Sequence, residues 1–364
     1  VSEVVDIMGE LSSVEETLLW LCGISSFTGE EGPVCDAVQA LLGPIVGEGA
    51  IARDGHSLVV TPKVQSDGPN VVLAGHFDVV RTQHDGPTRV EGEKIYGPGA
   101  ADMKSGLAVM IELLREMSQR PSGWKARPTF VFYEREEGPY LENRLGDLLE
   151  RFEALRKADL AVCLEPSSNV LQLGCMGSLH GRVVFRGRTA HSARPWQGEN
   201  AIHKSAGFLR RIGERAPVDV VIDELLYREV MSATMAEGGR GRNVVPDAFA
   251  LNVNVRFAPG KTVDDAEREL GELIAGDAEL EVIDRSPSAL PARTQPMVRA
   301  LEALPEVKGV EPKQAWTDVA RFGTVGVPAV NLGPGTQSQA HQRNEWTDRA
   351  ALRDGLELFR RWLR

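Results

Sequence analysis

Three glutamates in four positions, Glu134, Glu136 and Glu137, close the strand-like run FVFYEREEGPY at residues 130–140, with only Arg135 between them. Crowded carboxylates repel, and each resists ionising beside the next unless a cation compensates. The stretch is therefore either a solvated loop or the rim of a positive charge. VVLAGHFDVV ends a buried-strand run in His76 and Asp78. Residues two apart share a face at a strand end, so the Asp carboxylate can orient the imidazole, although a lone His beside a strand is more often structural. YGPGAADMKSGLAVM sets Asp102 after a Gly-rich turn at the start of a helix. There it suits an N-cap, and also a ligand, because a carboxylate has two oxygens. CLEPSS puts Glu165 at the C-terminal end of a short apolar strand, the edge where open α/β sheets gather ligands. AHQRNEW carries His341, with Glu345 four residues on.

Singly these signals are weak. Together His76, Asp102, Glu137, Glu165 and His341 are two imidazoles and three carboxylates, mostly at strand ends or strand–helix junctions. Five such ligands suit a two-metal site with one bridging carboxylate, and the N/O set favours zinc or cobalt.

The elements that must hold them follow from periodicity. Helical spacing covers residues 4–21, 34–42 and 103–117, and short β-rich runs fall at 57–61, 70–74, 127–133 and 160–164, with a charged helix over 141–157. Strands alternating with helices imply a largely parallel sheet covered on both faces. From Ser178 the pattern changes: LHGRVVFRGRTA and FALNVNVRFA alternate as half-exposed strands do, with helices over 201–214 and 263–275 and a last strand at ELEVID. This small α+β layer of about 115 residues is a plausible domain size. From Pro291 the α/β pattern resumes with a helix, the strand PAVNL and a closing helix over 350–363. The expectation is an α/β catalytic domain over 1–177 and 291–364 with a mixed, mostly parallel sheet, and an inserted α+β domain over 178–290.

Composition narrows the partners. A net charge of -11 argues against a nucleic-acid surface, which needs clustered Lys and Arg. No apolar run approaches a membrane span, and no basic segment precedes an apolar one at the start. The four cysteines, Cys22, Cys35, Cys163 and Cys175, are scattered without C-x-x-C spacing, which reads as buried free thiols in a reducing compartment, hence a cytoplasmic protein.

The ordered set GHFDVV, GPGAADMKSGLA, EREEG, CLEPSS and AHQRNE resembles the M20 family of metallopeptidases and amidohydrolases over nearly the whole chain. Within it, RTAHSARPWQGENAIHK, GRNVVPDAFALNVNVRFAP and WTDVARFGTVGVPAVNLGPG are most similar to the succinyl-diaminopimelate desuccinylases of the actinobacterial type. The resemblance implies a zinc-peptidase-like fold with an inserted lid and dimerisation domain, two zinc ions per subunit with cobalt as a substitute, and a homodimer. One ion would take His76 and Glu165, the other Glu137 and His341, and Asp102 would bridge them. Asp78 would support His76, and Glu136 would be the general base. Adjacent side chains on a regular strand face opposite ways, so Glu136 and Glu137 can both face the metals only if the strand has ended by then. His191 would stabilise the tetrahedral oxyanion from the other subunit, while Asn243 and Arg256 would face a small N-acyl amino acid substrate, Arg256 meeting a carboxylate with its planar fork, and Arg194 or Arg182 would make up for a substrate-binding Arg that relatives carry where this chain has Cys175.

Two departures stand out. Well-known desuccinylases carry an Arg in the turn where this chain reads GCMGS at Cys175, and the residues before the paired glutamates are Glu134-Arg135 rather than Ser/Thr-Asp. The expected reaction is release of succinate from N-succinyl-LL-2,6-diaminopimelate. Acetylornithine deacetylation, or hydrolysis of another N-acyl amino acid or a dipeptide, is the nearest rival, and a non-catalytic binding homologue the remote one.

Overall fold

The structure, a computed structural model, describes residues 13–364. The helix expected over 4–21 is therefore seen as Val14–Cys22, and residues 4–12 lie outside the described residues. Ser13 caps it by accepting the Glu16 amide on its hydroxyl. After the helix Gly32–Val46 come β1 (Ile51–Asp54) and β2 (Ser57–Val60), an antiparallel hairpin, then β3 (Asn70–His76) and the short β4 (Arg89–Glu91) and β5 (Lys94–Tyr96). The helix Lys104–Gln119 leads to β6 (Arg127–Tyr133). The single helix expected over 141–157 is broken into Leu145–Arg151 and Glu153–Arg156 by an extended Phe152, and Arg156 reaches back to satisfy the carbonyls of Leu149 and Glu150. Then follow β7 (Leu160–Cys163) and β8 (Leu171–Leu173).

A second set of strands intervenes: β9 (Gly177–Arg186), β10 (Ala190–His191), β11 (Val218–Ile222), β12 (Leu225–Gly238), β13 (Val244–Val245), β14 (Ala248–Phe257) and β15 (Glu279–Ser286). Five form an antiparallel sheet in the order β11-β12-β14-β9-β15, and β10 pairs with β13. Alternation sorts its faces. Leu179, Val183 and Phe185 pack with Leu251, Val253, Val255 and Phe257 in one apolar cluster that also holds Phe208, Ala266 and Leu270 of the helices Ala206–Gly213 and Val263–Ile274. Ser178, His180, Asn252, Asn254 and Arg256 alternate with them along β9 and β14. The expected helix over 201–214 is two pieces, Ala201–Lys204 and Ala206–Gly213, parted at Ser205.

The chain then adds β16 (Val310–Pro312), β17 (Ala329–Asn331), β18 (Trp346–Asp348) and the helix Arg349–Leu363. The large sheet runs β1-β2-β6-β3-β7-β17-β8-β16. Its middle strands β6, β3, β7 and β17 are parallel, so their C-terminal ends share one edge, while β1, β2 and β8 pair antiparallel. The helix Lys104–Gln119 is buried along most of its length against β3. A Cβ at Gly75 would stand 2.6 Å from both Leu107 Cδ2 and Met103 Cε, so the glycine lets these two side chains pack directly onto β3.

Two compact units result. One runs through Leu173 and takes in Ala292–Glu311 and Arg321–Arg364; the other comprises Gly174–Pro291 and Pro312–Ala320. Among the described residues no helix is long and apolar enough to cross a membrane.

Candidate metal centre

His76 is the last residue of β3 and pairs in register with Tyr133, the last of β6, so residues 134–137 leave the sheet where His76 ends it. The strand has thus stopped before the paired glutamates, and Arg135 takes a left-handed φ of 63° that turns the chain. Two buried carboxylates hold this turn by its amides. Asp78 Oδ1 accepts from Glu136 N and Oδ2 from Glu137 N, both at 3.0 Å, and Oδ2 also accepts the Thr28 hydroxyl. Glu31 Oε1 accepts from Arg135 N at 3.2 Å and from Gly29 N at 2.7 Å. Glu134 turns elsewhere: its Oε1 accepts the His56 amide at 2.8 Å, in the turn between β1 and β2.

His76 Nδ1 lies 2.9 Å from the backbone carbonyl of Asp78 and 3.5 Å from its carboxylate. The carbonyl, rather than the carboxylate expected from the sequence, is therefore the closer partner that fixes the ring, because the Asp78 oxygens are occupied by amides. With Nδ1 donating to that carbonyl, Nε2 is the ring nitrogen turned to Asp102, 3.4 Å from its Oδ1. Asp102 Oδ2 stands 3.4 Å from His341 Nε2, which is 2.8 Å from Glu137 Oε1. Ligand atoms of His76, Asp102 and Glu137 lie within 4.8 Å of one another. Glu165 is buried two residues beyond the end of β7 and is not part of that tight group. Asp102 does not cap its helix: Met103 is the N-cap residue, and the helix starts at Lys104.

Electrostatics follow from burying opposite charges together. Burial opposes ionisation of Asp102, but contact with His341 and His76 outweighs it and holds the carboxyl well below the usual carboxylate range. Contact with Asp102 and Glu137 lifts His341 to about 10. Burial would lower His76, yet Asp102 and Asp78 raise it well above 6.5. Burial raises Glu137, against the pull of His341. Burial likewise opposes ionisation of Asp78, and the facing His76 and the two amides hold it below its ordinary value. The cluster thus stabilises positive charge wherever it can find it.

The donor set fits metal ions. His76 Nε2 and Asp102 Oδ1 are buried without a hydrogen-bond partner. Two atoms each about 2.0–2.1 Å from one tetrahedral ion stand about 3.4 Å apart. Both imidazole–Asp102 separations have that value.

The remaining candidates belong to the second unit. His191 on β10 is exposed and pairs in register with Val244 of β13, while Asn243 O accepts the Ser192 amide and Arg194 N donates to His191 O, so these three share one corner. Arg256 lies on β14, its Nε held 3.0 Å from Asn254 Oδ1; burial lowers its pKa, and the carboxylate of Asp284 acts on it in the opposite direction. Cys175 is buried, its thiol 3.7 Å from the Thr317 carbonyl. All four cysteines are free and buried. Thr28, Glu31 and Lys104 support the centre without having stood out in the sequence. Lys104 is buried and donates from Nζ to the carbonyls of Leu21 and Ile24, closing the end of the first helix. Only its place two residues after Asp102 could have marked it.

The sequence matches the profile described as Peptidase family M20/M25/M40 over residues 72–364. It is 36% identical over 346 residues to a provisionally named succinyl-diaminopimelate desuccinylase of Mycobacterium tuberculosis, covering 94% of this chain and 96% of that protein. It is 33% identical over 347 residues to the succinyl-diaminopimelate desuccinylase of Corynebacterium glutamicum, covering 94% of each. The M20 metallo-carboxypeptidase of Sulfolobus solfataricus has the same fold, with a TM-score of 0.78 at 14% identity over 97% of this chain and 99% of that one. So has a dinuclear metal-binding M20 peptidase of Bacillus subtilis, with a TM-score of 0.68 at 14% identity over 96% of each chain.

Proposed function

The chain belongs to peptidase family M20/M25/M40, and from that premise we propose that it is a dinuclear zinc amidohydrolase releasing succinate from N-succinyl-LL-2,6-diaminopimelate. The observation that carries the metal reading is Asp102, with one oxygen 3.4 Å from His76 Nε2 and the other 3.4 Å from His341 Nε2, the disposition of a bridging carboxylate. His76 and Glu165 would hold one ion, Glu137 and His341 the other. When bound, zinc supplies Lewis acidity and lowers the pKa of water toward neutrality, and cobalt can do the same.

The chain's own groups do the rest. Glu136, fixed by its amide to Asp78, takes the proton of the attacking water and delivers it to the leaving amine. His191, contributed by a second copy of the chain, donates to the oxyanion. Asn243 faces the substrate, Arg194 supplies a cation in place of the Arg missing at Cys175, and the guanidinium of Arg256, its Nε held by Asn254, takes a substrate carboxylate.

The homodimer is part of the same proposal. β11 pairs only with Leu225–Glu229 of β12, so along Val230–Gly238 β12 presents a bare edge among the described residues, with Met235 61% exposed. Such an edge is a template for another strand, and a second copy supplies one. Buried free thiols suit the cytoplasm as its location.

A second reading is favoured by Cys175. Its buried thiol faces the Thr317 carbonyl, so this turn offers no cation to a succinyl carboxylate. Hydrolysis of N-acetylornithine, another N-acyl amino acid or a dipeptide is the alternative. Steady-state kinetics on N-succinyl-LL-diaminopimelate, N-acetylornithine and a dipeptide set separates them. The proposal expects the highest kcat/KM on the succinylated diamino acid, and a value no better than on acetylornithine overturns it.

A further inference from the structure

Glu345 is a buried carboxylate outside both the ligand set and the acid–base chemistry, and its side chain is committed to backbone amides. Its Oε1 accepts from Ala101 N at 2.7 Å and Asp102 N at 2.8 Å, its Oε2 accepts from Gly99 N at 2.9 Å, and its own carbonyl accepts from Gly97 N at 3.1 Å. One side chain therefore grips the whole turn that ends in Asp102. The turn can present its amides inward because Gly99 has a φ of 76°, and a Cβ there would come within 2.5 Å of Val79 Cγ1. Glu345 is only 3% exposed, so no water replaces a lost contact cheaply.

Its position in the chain gives this grip a second consequence. Four residues before it stands His341, with a left-handed φ of 59°. Between them Arg343 and Asn344 are fastened to Asp85, the Asn344 side chain both accepting the Asp85 amide at 2.7 Å and donating to its carboxylate at 2.9 Å. The segment 341–345 is thus pinned at its middle and at its end, and the end pin is the turn bearing Asp102.

We propose that Glu345 is a positioning residue for the metal pair: by holding the amides of Gly99, Ala101 and Asp102 it fixes the spacing between the bridging carboxylate of Asp102 and the imidazole of His341. This rests on the metal reading above. Outer-sphere partners of this kind typically change metal affinity about 10–100-fold when removed. Glu345→Gln keeps the volume but replaces one acceptor oxygen with an NH2 that confronts backbone amides, and Glu345→Asp keeps both oxygens but shortens the reach.

The test is zinc titration of metal-free full-length protein against a competing chelator, with thermal unfolding of the same metal-free samples. The expected result is at least about a 10-fold rise in zinc Kd for Glu345→Gln, partly recovered in Glu345→Asp, with the variants still folded at the titration temperature. Wild-type zinc affinity in Glu345→Gln, whatever its unfolding midpoint, overturns the proposal and leaves Glu345 a packing residue. Should Glu345→Gln fail to fold, Asn344→Ala, which frees the same segment at its middle pin, is expected to weaken zinc binding in the same direction, and unchanged affinity there overturns the proposal. Failure of the wild-type protein to take up zinc overturns the metal reading itself, a different result from a variant that binds as the wild type does.

Discussion

The imidazole of His341 stands 2.8 Å from the carboxylate of Glu137, although 204 residues separate them in the chain. In the metal-free protein that contact, with Asp102, holds the imidazole at about 10, so it carries a proton at neutral pH. Zinc held through this imidazole, as proposed, would displace the proton. Calorimetry at pH 7 in two buffers of different protonation enthalpy is expected to show proton release, and apparent affinity should rise with pH. The sign for stability is the opposite. A raised imidazole contributes stability that is fully present below the unfolded value of about 6.5 and is lost as pH rises through about 10. The unfolding midpoint of the metal-free protein should therefore fall across that window, and His341→Ala should flatten that dependence.

Glu136→Gln is expected to bind zinc as the wild type does, because the proposed ligands are other residues, and to lose about 10²–10⁴ in kcat with little change in KM. Metal analysis alongside kinetics checks both halves. Retained turnover would remove Glu136 from the role of base.

Glu134→Ala isolates the third glutamate of the cluster. Its Oε1 accepts the amide of the exposed His56, so the substitution removes one hydrogen bond at a cost of about 0.5–1.5 kcal/mol of stability. Denaturant unfolding should show the loss, while zinc content and kcat of the folded protein stay unchanged. A fall in kcat would instead tie Glu134 to the proton chemistry.

Arg256→Lys keeps the charge and removes the planar fork. Kinetics should show kcat/KM on the succinylated substrate falling about 10-fold or more, with a smaller effect on an N-acetyl substrate. Equal losses on both would take Arg256 off the acyl carboxylate.

Sedimentation is expected to show a dimer for the wild-type chain, and Met235→Lys on the open edge of β12 should shift it toward monomer. Because His191 is proposed to serve the other copy, activity should fall with the dimer fraction. A monomeric wild-type protein with full activity would refute this arrangement.

Much of the architecture could be read from the sequence because its signals were local. The alternation in FALNVNVRFA became β14, and the strong amphipathic run after Asp102 became the helix Lys104–Gln119. Local patterns failed where tertiary contacts decided. The charged run at 141–157 carries Asn143 and Gly146 and becomes α-helix only from Leu145, and an extended Phe152 then breaks it, with Arg156 closing the break. Asp102 has the type and place of an N-cap, but its turn is claimed by Glu345 and the capping position passes to Met103. The donors His76, Asp102, Glu137 and His341 could be nominated from residue type and strand-end position. The groups that hold them could not: Glu31 and Glu345 act through backbone amides far along the chain, and amides leave no mark in a sequence.

β17 pairs with β7 on one side and β8 on the other, yet the chain reaches it only after running through the whole second unit. This sets an order of events during folding. In the second unit β11 pairs with the neighbouring β12, while β9 waits for β14 and for β15 at the unit's far end; β17 must find β7 across the whole insertion, a longer closure than any of these, and distant closures are slow. A refolding chain should complete the sheet of the second unit before β17 joins the parallel core. His341 follows β17, so a chain still short of that strand carries His76, Asp102 and Glu137 as an unfinished cage. The lag between the first β-sheet signal and the uptake of metal would then measure how long the interrupted domain waits for its missing piece.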